Sequence, residues 1–253
     1  MKLIKFIPNK RVSSFLLFFF VVGSIFAQDG LLIKANKLFA SHAYSDAILK
    51  YESVLKRDKN NEEALRRLAD CYRLNNNTEK AENLYEIIAV SGKAKGQDIV
   101  YYTQALMSNG KYSKAKEVLT IASSLSKDNR IASYSKALEQ LDNYYRDSAF
   151  VKIKKEASLN SEDNDFAPAK YKDGIVFSSN RKRNQWISQQ HDWTNKGFNY
   201  LYFSKQNDDK SFEKPESFSK EISTKYNDGP VSFTADGKEM YFTRNNIEDS
   251  KVL

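Results

Sequence analysis

The chain has a single cysteine, Cys71, in 253 residues, which excludes an internal disulfide and a cysteine-based metal site. Its two histidines, His42 and His191, form no His-x-x-x-His pair, and no glycine-rich phosphate loop is present. His191-Asp192 has no strand-turn-helix context that would join it to a serine nucleophile. Asp163-Asn164-Asp165 and Asp208-Asp209 lack the spacing of a calcium loop. No catalytic residue, cofactor site or metal site is therefore expected. Long apolar runs are also missing: Phe15 to Val22 is too short to span a bilayer, which takes about 20 residues. The formal net charge is +8, and removing Lys2, Lys5, Lys10 and Arg11 leaves +4, too mild a balance to argue for nucleic acid. Proline is absent between Lys10 and Phe166, and Pro168, Pro215 and Pro230 follow. A boundary between helical and extended chain is expected near Ala149.

The four basic residues precede the apolar run, and Gly23, Ser24 and Ala27 follow it. This order predicts a signal peptide over residues 1–27 with cleavage after Ala27. No cysteine follows the run, so no lipid anchor is expected. An exported chain without a disulfide framework suits a bacterial cell envelope better than a eukaryotic secretory route.

The first half repeats. Ala47, Ala81 and Ala115 stand at equal intervals in the sequence. Around them Ala35, Tyr44, Ala47 and Tyr51 align with Ala69, Thr78, Ala81 and Tyr85, and with Thr103, Tyr112, Ala115 and Leu119. A small side chain lets two helix axes approach closely, and an aromatic four residues later fills the adjacent hollow. Period and residue types are those of tetratricopeptide units, two antiparallel helices per repeat. Leu65, Leu68, Ala69 and Tyr72 form one apolar stripe of the second repeat, and Ala81, Leu84, Tyr85 and Ile88 the other. Asn75-Asn76-Asn77 and Asn109-Gly110 supply the turns between paired helices. A further helix from Arg130 to Arg146, carrying Ala137 in phase, is predicted to cap the array. The predicted helical domain covers residues 28–148.

From residue 149 to 253 short alternating strands are expected. Asp173-Gly174 and Asp236-Gly237 predict two hairpin turns, with glycine supplying the positive φ. Pro168 and Pro230 hold the same place in otherwise similar hairpins. Repeated units of this kind build propellers, which need several blades to remove free edges. The predicted fold class is α+β in two domains: an α-helical tetratricopeptide solenoid, then an incomplete all-β propeller of one blade and part of a second. The chain reads as part of a longer product, or as one whose open edge a partner completes.

Asp165-Phe166-Ala167-Pro168, Lys172-Asp173-Gly174-Ile175-Val176-Phe177-Ser178-Ser179-Asn180-Arg181, and the stretch from Ser223 through Asn227-Asp228-Gly229-Pro230 to Asn246 resemble exported OmpA-family proteins of Bacteroidota. In these a signal peptide, a tetratricopeptide array and a TolB-type propeller precede an OmpA-like peptidoglycan-binding domain. Relatives include the PorE-type component of the type IX secretion and gliding apparatus. The resemblance implies a non-catalytic envelope scaffold, located in the periplasm in association with the outer membrane, whose partners are other envelope proteins. No OmpA-like domain is present, so direct peptidoglycan binding is not carried over. A stand-alone sensor or carrier of a peptide or small ligand is the other function expected. Partner binding is expected on the concave first-helix face at Asn36, Arg66, Asp70, Arg73, Gln104 and Met107. Ala35, Ala47, Tyr51, Ala69, Ala81, Tyr85 and Ala115 are expected to hold the repeats together.

Overall fold

A computed structural model describes residues 30–125, 128–182, 190–222, 226–245, 247–248 and 251–252. The expected signal peptide lies outside these residues, as do 183–189 with Trp186, Ser223 to Lys225, and Asn246. The chain divides into two units, Met1–Arg146 and Asp147–Leu253.

The described residues of the first unit form a succession of helices joined by short turns. Helix α1 runs over 30–40, followed by α2 (Tyr44–Arg57), α3 (Glu62–Leu74), α4 (Thr78–Val90), α5 (Gly96–Ser108), α6 (Tyr112–Leu125), α7 (Asn129–Glu139) and α8 (Leu141–Tyr145). The turns that pair α1 with α2, α3 with α4 and α5 with α6 share one geometry. His42, Asn76 and Gly110 all lie in the left-handed region, with φ of 61°, 56° and 72°. Each is followed by a backbone bond that closes the helix: Ala43 N–H to Leu38 C=O at 2.9 Å, Asn77 to Tyr72 at 2.8 Å, and Lys111 to Leu106 at 2.8 Å. Side chains start the next helices, since Asn61 accepts from the Ala64 N–H at 3.0 Å and Asn77 from the Lys80 N–H at 3.3 Å.

At the crossings Ala35, Ala47, Ala69, Ala81 and Ala115 have no exposed surface, and Tyr51 and Tyr85 are buried beside them. With no exposed surface at these alanines, a longer side chain would have to displace packed neighbours. The end of the array departs from expectation. The single helix predicted from Arg130 to Arg146 is instead broken at Gln140 (φ −94°, ψ 11°) into α7 and the short α8, and Arg146–Phe150 forms a 3-10 turn. Ile131 and Leu138 are the buried residues of α7, whereas α8 buries none, so beyond Gln140 no apolar face holds the helix to one line.

The second unit is built of antiparallel strands. Strands β1 (Asp165–Tyr171), β2 (Gly174–Ser179), β5 (Tyr200–Lys205) and β6 (Glu216–Ser217) form a four-stranded sheet in the order β1-β2-β5-β6. Between them β3 (Gln190–His191) pairs with β4 (Lys196–Gly197). Farther on, β7 (Asp228–Phe233) pairs with β8 (Met240–Arg244), and β9 (Ile247–Glu248) with β10 (Lys251–Val252). The sheets are open, and among the described residues no closed sheet forms. Val176, Leu201 and Val231 form the buried core between the large sheet and the β7–β8 hairpin, with Tyr171, Phe203, Phe233 and Phe242 packed against it.

One turn works differently from the sequence expectation. Gly237 has the positive φ assigned to it, 66°, but in the first hairpin Lys172 carries the positive φ, 48°. Gly174 is needed for another reason: a Cβ there would collide with the Ser204 carbonyl and the Phe203 ring on β5. Strand β2 can therefore lie tightly against β5 only with glycine at its first position.

Candidate functional site

Helices α1, α3, α5 and α7 form one row, joined side to side by polar contacts about one repeat apart. Asn36 on α1 donates to Glu63 on α3 at 2.8 Å. Arg66 on α3 donates to the Asp98 carboxylate on α5 at 3.0 Å and to the Lys93 carbonyl at 2.6 Å. Asp98 also accepts from its own helix start, the Lys95 N–H at 2.8 Å, so one carboxylate both caps α5 and holds α3. Arg130 on α7 donates to Gln97 on α5 at 2.7 Å. Its other hydrogen bonds hold the Asp128 carboxyl down at about 2, well below the usual carboxylate range.

Aromatic rings take part in the same row. The Arg67 guanidinium lies 4.6 Å from the Phe39 ring, and that of Arg73 lies 3.8 Å from Tyr101. Arg130 approaches Tyr101 as well, at 5.7 Å, so this tyrosine stands between cations of two neighbouring helices.

Three of the expected binding residues, Asn36, Asp70 and Gln104, occupy one phase of three successive repeats. A second-helix tyrosine engages the first two: the Tyr51 hydroxyl donates to Asn36 at 2.7 Å and the Tyr85 hydroxyl to Asp70 at 2.7 Å. Burial raises both hydroxyls far above the ordinary tyrosine value, and for Tyr85 the charge of Asp70 adds to it. Arg73 completes the second group, donating to Tyr85 at 3.3 Å and to Asp70 at 3.4 Å. In the third repeat the tyrosine position is Leu119, which has no hydroxyl to offer. Gln104 is exposed, and no described residue hydrogen-bonds its side-chain amide. Met107, one turn along α5, is half-buried.

Asn36 and Arg66 are thus tied to neighbouring helices of the row, Asp70 and Arg73 to Tyr85 and to each other, and Gln104 and Met107 lie on α5, on the same helix as Tyr101 and between α3 and α7. Sequence reasoning missed Tyr101, Asp98 and Gln97. One signal was available: Phe39 and Arg67, and again Arg73 and Tyr101, share the same separation in sequence, the one that sets residues of adjacent first helices side by side.

The site offers hydrogen-bonding groups, an aromatic face and balanced charge, with no nucleophile beside a base. The one cysteine, Cys71, is buried, and burial pushes its thiol up to about 12, so it is protonated at neutral pH. His42 is exposed in the α1–α2 turn and His191 is exposed on β3. No group of described residues has the composition to hold a metal ion. A groove of about 180 Å³ lined by Leu65, Arg66, Ile87, Ile88 and Lys93 falls below the roughly 300–1,000 Å³ of a small-molecule pocket. No helix among the described residues is long and apolar enough to cross a membrane.

The tetratricopeptide repeat family model matches residues 38–92, from the end of α1 to just past the end of α4. The crystal structure of the Sgt2 TPR domain from Aspergillus fumigatus is similar to the chain at 18% identity, covering 54% of this chain and 91% of that one, with a TM-score of 0.41. No curated protein matches the chain. The N-terminal region carries tetratricopeptide repeats, a module that acts by holding other proteins.

Proposed function

We propose that the protein is a non-catalytic scaffold of the bacterial cell envelope that grips a segment of another envelope protein along its first-helix row. The observation that carries this reading is the exposed Gln104 on α5, whose side chain has no partner among the described residues, with Met107 and Tyr101 on the same helix. An amide, a thioether and an aromatic face give a partner both orientation and adaptable apolar contact. Arg66, Asp70, Arg73 and Asn36 set the spacing of the row and present their remaining polar atoms to the same partner.

The targeting pattern of residues 1–27 supports export, and the paired hairpin motifs support the reading of β1-β2-β5-β6 as a propeller blade with β7–β8 opening the next. Both fit an envelope protein of the OmpA-family type, with secretion or gliding machinery as its setting. Mass measurement of the protein recovered from the periplasm tests the export step, and a mature chain beginning at Gln28 is the expected result. A photo-crosslinking residue at position 104, introduced in the native host, tests the binding step. Crosslinks to a defined envelope protein that are lost in Met107→Glu are expected, while an uncrosslinked product would overturn the reading.

A further inference from the structure

Where the β1–β2 turn approaches the β7–β8 turn, a cleft of about 440 Å³ opens, lined by Lys170, Tyr171 and Lys172 on one side and by Phe233, Thr234 and Asp236 on the other. Unlike the groove beside Arg66, it falls within the roughly 300–1,000 Å³ of small-molecule sites. The cleft belongs wholly to the second unit.

Its aromatic wall is fixed by packing. The Tyr171 and Phe233 rings lie 4.4 Å apart, tilted by 33°, and Phe218 meets both edge-on at 5.4 Å and 6.0 Å. Phe203 on β5 approaches Tyr171 edge-on as well, at 6.2 Å. Rings held in this way present a flat surface before any ligand arrives, so little ordering is left to be done on binding.

Charge around the cleft is unevenly committed. Asp173 pairs with Lys205 at 3.8 Å, and Asp236 pairs with Lys238 at 3.9 Å. Asp236 also accepts from the Thr234 hydroxyl at 2.6 Å and from the Lys238 N–H at 3.2 Å. Lys170 and Lys172 are exposed and form no ion pair or hydrogen bond among the described residues; the Lys172 ammonium lies 5.0 Å from the Tyr171 ring centre. Two cations therefore stand beside the aromatic wall without an anion of their own.

The hairpin itself does not require them. Aligning Pro168 with Pro230 sets Tyr171 on Phe233, but Lys170 on Ser232 and Lys172 on Thr234, so the fold asks for the ring and not for the cations. Lys172 is moreover held at φ 48°, where glycine would be free of strain. Strain that the fold does not demand is accounted for by a task of the side chain.

We propose that this cleft binds a small aromatic compound carrying a doubly charged anion, a phosphate monoester on a flat ring. The phosphate takes the Lys170 and Lys172 ammonium groups, two charges against two, and the ring lies along the wall of Tyr171 and Phe233. Lysine holds phosphate as a mobile point charge on a long stem, which lets two of them converge on one group. The Tyr171 hydroxyl, which has no hydrogen-bond partner among the described residues, is a further donor on that side. This site is separate from the first-helix row and does not rest on the reading given for it.

The probe is phenyl phosphate, titrated into the full chain and followed by the backbone amide resonances. Saturable shifts centred on residues 170–172 and 233–237 are expected. Lys170→Gln and Lys172→Gln each weaken binding about tenfold or more. Lys172→Gly relieves the backbone while removing the cation, so it binds as weakly as Lys172→Gln with the resonances of the rest of the unit unchanged, which separates a lost contact from a damaged fold. Inorganic phosphate, which lacks the ring, binds about tenfold more weakly than phenyl phosphate. Lys196→Gln, on β4, leaves binding as it was. Absence of shifts in the two turns would overturn the proposal, as would full affinity in either lysine variant. Inorganic phosphate matching phenyl phosphate, or an equal loss in Lys196→Gln, would overturn it too, since either marks a general attraction of anions to a basic chain.

Discussion

The Tyr85 hydroxyl donates to the Asp70 carboxylate at 2.7 Å, and one repeat earlier the Tyr51 hydroxyl donates to the Asn36 amide at the same distance. The geometry is shared and the acceptor charge is not. A hydrogen bond to a charged group is worth about 1.5–3 kcal/mol and a neutral one about 1. Tyr85→Phe should therefore lower stability by about 2 kcal/mol and Tyr51→Phe by about 1, read from helical circular dichroism during denaturation. Equal losses would show that Asp70 gains nothing from its charge.

The even spacing of Ala35 and Ala69, and of Ala47, Ala81 and Ala115, was legible because a small residue at a close helix crossing is a requirement that the sequence alone reveals. The turn conformation was half legible. Gly110 announces a left-handed residue, but His42 and Asn76 adopt the same φ without glycine's signature, and only their phase with Gly110 betrays them. The phase of Asn36, Asp70 and Gln104 could be read from the repeat. That tyrosines claim the first two could not, since each such bond joins residues on different helices. Asp173-Gly174 reads as a turn because Asp-Gly is a strong local signal, while the real constraint on Gly174 comes from Phe203 and Ser204 on β5, far along the sequence.

His42 and Asn76 hold a backbone conformation that costs an L-residue about 1–2 kcal/mol. Glycine removes that strain but gives the unfolded chain more freedom, so the net gain is smaller. His42→Gly and Asn76→Gly should each stabilise the helical unit by about 0.5–1 kcal/mol, whereas Gly110→Ala should destabilise it by about 1. Helical circular dichroism in a denaturant titration measures all three, and a loss of stability in His42→Gly would contradict the account.

Glu82 is 2% exposed, and its carboxylate is held by Lys111 at 2.7 Å and Asn109 at 2.7 Å. Burial raises its pKa, but the bonds from Lys111 and Asn109 outweigh burial and leave it lowered, hence ionised at neutral pH. Removing only the cation strands a buried charge. Lys111→Met should cost about 3 kcal/mol, whereas Lys111→Met with Glu82→Leu should return to within about 1 kcal/mol of the parent. If the double variant is the less stable of the two, the pair contributes by attraction and not merely by mutual compensation.

Arg181 reaches back across the first hairpin to the Asp165 carboxylate at 2.6 Å and to the Leu159 carbonyl at 2.6 Å, and Arg244 does the same for Asp228 and the Ile222 carbonyl. Burial raises the Asp165 carboxyl, but hydrogen bonds from Ser179, Arg181 and Ser161 outweigh it and bring the group down to about 2, from an ordinary value of 3.8. The folded value is the lower one. The stabilisation is therefore complete above the ordinary value and is lost as the pH falls from about 4 through about 2. Trp186 and Trp193 are the only tryptophans and both belong to the second unit, so tryptophan fluorescence follows that unit alone. Denaturant midpoints read this way should fall as the solution is acidified across that window, and Asp165→Asn should remove the Asp165 share of the fall while lowering the midpoint at neutral pH. Were the asparagine variant to keep the full acid sensitivity of the parent, the Asp165–Arg181 link would not be what holds the start of β1 in place.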